Sequence, residues 1–372
     1  MASAGLYFSN ITPDNGAVRE INRLVFKDVL SAERIGSLLN IFPRVFNGDK
    51  LDLVGEFGLL GKANTGCSPT YGTDTISTEE KTWALGAWQI AEQICWDDIK
   101  GTLVKYSMNT GTAIGDLTAN DYLDEIVVPR LELAIMKMYI RLAFFGDTTA
   151  KTTANGGVLL VGTDPDYFKL IDGIWKQIFT IVSGDASKRV SISANAEDTK
   201  AEQIANISSQ AVDVLNDLIA QASPALRQAS DQIIYVTQSF ADGLEAQLLA
   251  SYYGSELHWE SIFGGIREAR YRGIRLRVVP QWDEIIQSYE GTSTAFNLPH
   301  RCIYTTERNL ALGVNGFNEF ADLDIFFDQT SRLNHIYATD QMGAMVIDSN
   351  MIVTAYSSAI TFLSGNPSVC GW

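Results

Sequence analysis

The residue types that carry chemistry are sparse and scattered. Three histidines, His258, His300 and His335, lie in the last third of the chain. None has the H-E-x-x-H spacing that would set two imidazoles on one helix face for a metal, so each reads as a surface or hydrogen-bonded histidine. The four cysteines, Cys67, Cys95, Cys302 and Cys370, form no C-x-x-C pair and sit at long, irregular gaps. That is the pattern of reduced thiols made in a cytoplasm, not of a disulfide framework or a zinc site. Carboxylates gather at Asp97 with Asp98 and at Asp322, Asp324 and Asp328. Neither group has the spacing or the central glycine of a calcium loop, and both read as solvated or ion-paired. No glycine-rich phosphate loop, dinucleotide fingerprint or G-x-S-x-G nucleophile elbow occurs. No catalytic constellation, metal or cofactor is expected.

One cluster is dense enough to bind something: Arg267, Arg270, Arg272, Arg275 and Arg277. Arg275 and Arg277 share a face of an alternating strand. Five guanidiniums could hold phosphate, but pairing with carboxylates, within or between subunits, fits the charge better. Across 372 residues the chain carries 28 Lys and Arg against 44 Asp and Glu, a net charge of −16. Proteins that coat nucleic acid concentrate cations to displace counterions, and this chain does the reverse. With 46% hydrophobic and 19% charged residues it is not globally disordered. A mean hydropathy of +0.02 is high for so acidic a chain, and its apolar surface has to be buried, within the chain or against other subunits.

The N-terminus lacks a basic stretch followed by an apolar run, so no secretory signal is expected. Nor is a membrane span expected. The apolar segment 126–145 carries Arg130, Glu132, Lys137 and Arg141. The uncharged tail 349–372 holds too many breakers, Gly365, Asn366 and Pro367 among them, and reads as a buried strand with a packed tail.

The elements follow from periodicity. Residues 1–47 read as an arm, with a helical stripe (Ile21, Leu24, Val25, Val29) within 17–39 that Pro43 stops; an ordinary first core helix is the alternative. Residues 48–91 read as a long hairpin: strand-like spacing at Leu51, Leu53 and Phe57, a wide loop of small and polar residues, and an extended return over 75–85. A two-stranded ribbon is marginal alone in water. Phe57, Leu59, Leu60, Trp83, Leu85 and Trp88 therefore need cover from the same chain or a neighbour, and are the candidate inter-subunit contacts. Helices are expected over 92–106 and 121–145. In the second, Leu131, Ala134, Ile135, Met138, Leu142 and Phe145 form one continuous stripe, other faces are also apolar, and Gly146 stands where a left-handed cap would end it. From 165 to 320 helix and strand alternate, with helices over 168–182, 201–222 and 240–253 and strands over 233–237, 273–279 (one face wet) and 302–306. Strands over 323–327, 333–338 and 344–356 close the chain, and no internal repeat is visible.

This order resembles the major capsid proteins of tailed bacteriophages, the Hong Kong 97 fold, over nearly the whole chain. Leu51-Asp-Leu-Val-Gly-Glu-Phe57 looks like one strand of that family's extended loop, and Glu80-Lys-Thr-Trp-Ala-Leu-Gly-Ala-Trp-Gln-Ile90 like its return. Residues 131–147, ending in Gly146-Asp147, look like the spine helix; 215–236 look like the start of the axial domain; 272–279 and 308–313 resemble later strands, and 340–356 the return strand. No single motif is diagnostic; the ordered set carries the resemblance. It implies an α+β fold with an N-terminal arm (1–47), an extended β-hairpin loop (48–91), a peripheral domain with the spine helix (92–164), an axial α/β domain (165–322), and return strands of the peripheral domain with a C-terminal tail (323–372). It also implies a non-enzymatic structural protein that assembles with copies of itself into pentamers and hexamers of an icosahedral head around double-stranded DNA. Portal, scaffold and other head proteins would be its partners, DNA would be touched only weakly and without sequence preference, and no membrane would be involved. The protein would reside in the virion after assembly in the bacterial host cytoplasm. Some members crosslink subunits through a loop lysine; Lys62 lies in the loop, but no motif assigns it a partner. With about 47 residues before the hairpin and Met1 in place, a separate scaffold or none is expected, without N-terminal processing. The alternatives are an encapsulin-like nanocompartment shell, whose chains are usually shorter, and a soluble α/β enzyme, which would need convergent titratable groups in a cleft.

Overall fold

The computed structural model describes residues 30, 35–54, 78–95, 128–152, 157–251, 257–263, 265–315, 324–328 and 333–357. The expectations for 1–29, for the loop 55–77 with Phe57, Leu59, Leu60 and Lys62, for 96–127 and for the tail 358–372 lie outside these. In chain order the strands and helices are β1 (Asn40–Pro43), β2 (Lys50–Val54), β3 (Thr78–Thr82), β4 (Gly86–Cys95), α1 (Val128–Phe145), α2 (Ile174–Gly184), β5 (Arg189–Val190), α3 (Lys200–Asn206), α4 (Ala211–Gln221), α5 (Pro224–Gln228), β6 (Gln232–Val236), α6 (Gln238–Ser251), β7 (Glu260–Phe263), β8 (Ile266–Tyr271), β9 (Ile274–Val278), α7 (Pro280–Tyr289), β10 (Cys302–Thr306), β11 (Leu310–Val314), β12 (Asp324–Asp328), β13 (Leu333–Val346) and β14 (Val353–Ala355). The fold is α+β. No helix among the described residues is long and apolar enough to cross a membrane.

Two sheets organise the chain. The first is built on β13, a strand of 14 residues. β4 runs antiparallel along one edge of it; β11 and β12 pair with its two halves on the other, and β1 adds parallel to β11. β4 corrects the sequence reading, since it stays extended through Cys95 where a helix was expected from residue 92. Trp88 is buried while Gln89 and Ala87 are exposed, a period of two, and the backbone of β4 is paired with β13 along its whole length.

α1 packs on this sheet. Pro129 falls in its first turn, where the missing N–H costs nothing. Its second half is buried almost all round: Tyr139, Ile140, Leu142, Ala143, Phe144 and Phe145 are all buried. Gly146 does end the helix, but not as a left-handed cap, since its φ is not positive. It is glycine because the backbones there nearly touch. A Cβ on Gly146 would lie 2.5 Å from the Leu142 carbonyl and 2.6 Å from that of Ile171, and a Cβ on Gly173 would lie 2.7 Å from the Gly146 nitrogen. The Gly173 N–H donates to the Gly146 carbonyl at 2.8 Å, which leads the chain into α2.

The second sheet has seven strands in the order β5-β14-β10-β6-β9-β8-β7. β6 and β9 are parallel at its centre, and β10 and β8 flank them antiparallel. Both faces are covered. Ile234, Val236, Leu276 and Val278 join α4 and α6 in one core. Ile233, Tyr235 and Ile303 join α1, α2 and Trp282 of α7 in the other. That is why Ile233-Ile-Tyr-Val reads as an unbroken apolar run. The sheets do not follow the expected boundary at 322/323: β11 belongs to the first sheet and β14 to the second.

The single helix expected over 201–222 is broken. A 3-10 turn at Ile207–Ser209 separates α3 from α4. There the Ser208 and Ser209 hydroxyls each donate to a backbone carbonyl three residues back, at 2.9 Å, competing with the helical pattern. Ile207 then turns into α6 against Gly243, where a Cβ would sit 2.4 Å from its Cγ2.

Candidate assembly surface

The ribbon of β2 and β3 is a sheet of its own. The two strands pair antiparallel from Lys50 with Thr82 to Val54 with Thr78, and no third strand joins them among the described residues. Its root is firm. The Gly48 N–H donates to the Trp83 carbonyl at 2.9 Å, the Trp83 N–H donates to the Asp49 carbonyl at 2.8 Å, and the Leu85 N–H donates to Asn47 Oδ1 at 3.1 Å. Asp49 Oδ2 accepts the Phe46 N–H at 2.7 Å and closes the turn out of β1.

Trp83 anchors that root. Its ring lies over Gly313 of β11, where a Cβ would stand 2.8 Å from it, and tilts against Phe42 with centroids 5.7 Å apart. Val45, Ala311 and Met345 complete a small core, with Leu51 and Leu85 partly buried at its edge. The next turn of chain, Ala84 and Leu85, lies over Gly343 of β13, where a Cβ would be 2.7 Å from both the Ala84 carbonyl and the Leu85 Cδ2.

Of the residues singled out as inter-subunit contacts, Trp83 and Leu85 come together in this small core, whereas Trp88 lies in the main core with its ring edge-on to Tyr139, 6.0 Å between centroids. Trp83 and Trp88 are each 4% exposed, so their cover comes from their own chain, and only Leu85 retains accessible apolar surface. Beyond the root the ribbon faces water: Val54 is 69% exposed, and its two lysines are matched across the strands or along them, Lys50 by Glu80 and Lys81 by Glu79.

The arginine cluster divides. Arg277 is not on a wet face; it is 5% exposed and donates to Glu268 Oε2 (2.5 and 3.0 Å), to Glu307 Oε1 (3.3 Å) and to the Ser37 carbonyl. Arg275 pairs with Glu307 at 2.5 Å, and Arg267 with Asp242 at 3.6 Å. Arg270 and Arg272 have no carboxylate partner among the described residues. Burial alone would lower the Arg275 pKa, but Glu307 more than offsets it and raises it.

Three buried polar groupings were not legible in the sequence. Arg301 is fully inaccessible, sandwiched between the rings of Phe145 (5.1 Å) and Trp175 (5.3 Å); it pairs with buried Glu290 and donates to the carbonyls of Asn297 and Leu298 at 2.9 Å each. Burial pushes the Glu290 carboxyl pKa up against the pull of Arg301. Lys176 bridges Asp147 at 2.5 Å and Asp172 at 2.8 Å, behind the end of α1. His300 Nε2–H donates to the Gln203 carbonyl at 2.8 Å, which leaves Nδ1 to accept from the Ser239 hydroxyl at 3.0 Å. Burial lowers the His300 pKa to about 4, so the imidazole is neutral. This serine–histidine pair has a backbone carbonyl where a catalytic triad has a carboxylate, and its histidine is closed to solvent. No cluster of His, Cys, Asp and Glu able to hold a metal occurs among the described residues.

No protein-family model matches the chain, and no curated protein sequence matches it. Among solved structures it is similar to a chain of the satellite phage P4 procapsid that includes size determination protein, with 13% identity and a TM-score of 0.46 over 86% of this chain and 93% of that one. It is similar to a chain from Mycobacterium phage Ogopogo, with 13% identity and a TM-score of 0.48 over 87% and 91%. A third likeness is to the capsid of a native GTA particle, with 11% identity and a TM-score of 0.47 over 88% and 91%.

Proposed function

We propose that this chain is a shell-forming structural subunit, a major capsid protein of the Hong Kong 97 type. It self-assembles into pentamers and hexamers of an icosahedral head that encloses double-stranded DNA. The observation that carries the reading is the β2–β3 ribbon. Its root is locked into the first sheet by Trp83, yet the strands run outward as an unaccompanied pair with open edges among the described residues. Such a pair gains stability only by lying on another surface. The order of ribbon, spine helix, seven-stranded sheet and return strand along one chain supports the same reading.

In this account residues 48–91 drape over a neighbouring copy. Leu85 and the loop residues Phe57, Leu59 and Leu60 make the apolar contact, while Trp83 and Trp88 hold the ribbon to its own subunit. Residues 92–164 and 323–372 belong to a peripheral unit and 165–322 to an axial one, with β11 and β14 exchanged between them. The protein acts as structure and not as catalyst. Its partners are its own copies together with portal and scaffold proteins, and its place is the virion, after assembly in the host cytoplasm.

Negative-stain imaging of the purified full chain tests the reading. Closed polyhedral shells or six-fold rings are expected; a compact monomer under all assembly conditions would refute it.

A further inference from the structure

At the open end of the seven-stranded sheet, three arginines have no carboxylate partner among the described residues. Arg227 donates to the Ala220 carbonyl at the end of α4. Arg272 donates to the Asn216 amide oxygen at 3.0 Å. Arg270 is exposed. With Arg275, Gln232 and Tyr304 they line a groove of about 450 Å³ in which no carboxylate takes part. The charge of Arg275 is already matched by Glu307.

The groove is held in shape. Arg272 and Gly273, at φ +52° and +86°, make the tight two-residue turn between β8 and β9, whose flanking residues Tyr271 and Ile274 are in register. The Tyr271 hydroxyl donates to the same Asn216 oxygen at 3.1 Å, so the turn is tied to α4 from two sides. A positive groove is thus fixed on a chain whose net charge is −16.

The complementary charge stands on α4 itself. Asp213 and Asp217 are exposed, one helical turn apart, and have no cationic partner among the described residues. Carboxylates in this spacing repel each other unless something neutralises them. A guanidinium is the group best suited to do so, through paired N–H donors. We propose that the Arg227–Arg270–Arg272 groove of one copy receives the Asp213–Asp217 ridge of a second copy. This contact rests on the self-assembly reading and supplies what that reading lacks: an attractive polar contact between copies that otherwise repel. Phosphate of packaged nucleic acid is the competing occupant, and three arginines on so acidic a chain are few for it.

The test uses the full chain and measures the concentration at which assembly begins, by sedimentation, for the wild type, Arg270→Glu/Arg272→Glu, Asp213→Lys/Asp217→Lys and the combined fourfold variant. All changed side chains are exposed or at a turn, and circular dichroism checks that each variant is folded. Each double reversal is expected to raise the threshold about tenfold, and the fourfold variant to recover most of it, because swapped charges attract again. Binding of a fluorescent 20-base DNA is expected to be weak and alike in all four. Double variants that assemble like the wild type, a fourfold variant as poor as the doubles, or loss of DNA binding on Arg270→Glu/Arg272→Glu with assembly unchanged would each overturn the contact while leaving the assembly reading intact. A wild type that never assembles overturns that reading, and the contact with it.

Discussion

Gly313 and Gly343 stand directly opposite each other across β11 and β13, and each leaves the space that a part of the ribbon's root occupies. The Trp83 ring fills the space over Gly313; the Ala84 and Leu85 backbone and side chain fill that over Gly343. Opposed residues of an antiparallel pair share a face, so the two glycines make one notch. The ribbon projects from the sheet at a set place because nothing with a Cβ fits beneath it.

Gly313→Val should therefore displace Trp83 and destabilise the chain by about 1–3 kcal/mol, the range for forcing atoms into a packed core. Trp83→Ala leaves a cavity at the same place and should cost about 3–5 kcal/mol. Denaturant unfolding of both variants measures this. Unchanged stability in either would mean that the root is not held by this contact.

The ribbon strands, the long helix ending at Gly146 and the buried run of β6 were legible locally, because alternation, a helical stripe and a Gly-Asp stop sit within a few residues of one another. The cover of Trp83 and Trp88 was not. The notch lies some 230 residues downstream of Trp83, and no local signal announces it. For the same reason the sequence of β4 looks helical after residue 91: its partner β13 is equally remote, and Glu92 and Gln93 blur the alternation. The helix Pro280–Tyr289 carries local signals in its sequence: Pro280 in the first turn, Asp283 behind it, and Trp282, Ile285 and Ile286 at i, i+3, i+4. The buried role of Arg277 could not be read from alternation, which cannot tell a wet face from one lined with carboxylates.

The Arg301–Glu290 pair should behave as a buried ion pair. Glu290→Gln leaves an uncompensated guanidinium between two aromatic rings and should cost about 3–5 kcal/mol. Arg301→Met with Glu290→Leu should recover most of that loss. A double-mutant cycle by chemical unfolding measures the coupling, and additive losses would contradict it.

Two buried groups oppose each other in mild acid. Asp283 accepts the Gln238 and Ser239 N–H groups at the start of α6, at 2.5 and 2.9 Å, yet burial raises its pKa to about 6. Its folded form holds a proton more tightly than the unfolded form does. Its contribution is complete below the unfolded value near 3.8 and is lost as pH rises through about 6. His300 has the opposite sign: its pKa is lowered to about 4, so its contribution is present above 6.5 and lost as pH falls through about 4. Between pH 4 and 6 the two slopes largely cancel. In Asp283→Asn only the histidine slope remains. Relative to the wild type, that variant should lose about 1.4 kcal/mol of stability per pH unit of acidification in that window. Parallel stability curves for the two proteins would contradict this.

In the proposed shell, sixteen net negative charges per copy repel between neighbours, and this repulsion outweighs the screening of the one attractive contact proposed above. Raising the salt from about 10 mM to 150 mM shortens the Debye length from about 30 Å to 8 Å. Assembly followed by light scattering should quicken over this range. Faster assembly at the lower salt would count against like-charge repulsion as the barrier.

The ribbon itself offers the most direct test. Val54 and Thr78 are register partners, so an Asn-Gly turn in place of residues 55–77 closes the hairpin at its present end. Sedimentation velocity of the full chain and of this shortened chain, side by side, is the decisive measurement. The account predicts shells or capsomers from the full chain and a folded monomer, with the far-ultraviolet spectrum retained, from the shortened one. Shells forming equally well from both, or a full chain that stays monomeric with its ribbon folded on its own body, would contradict it.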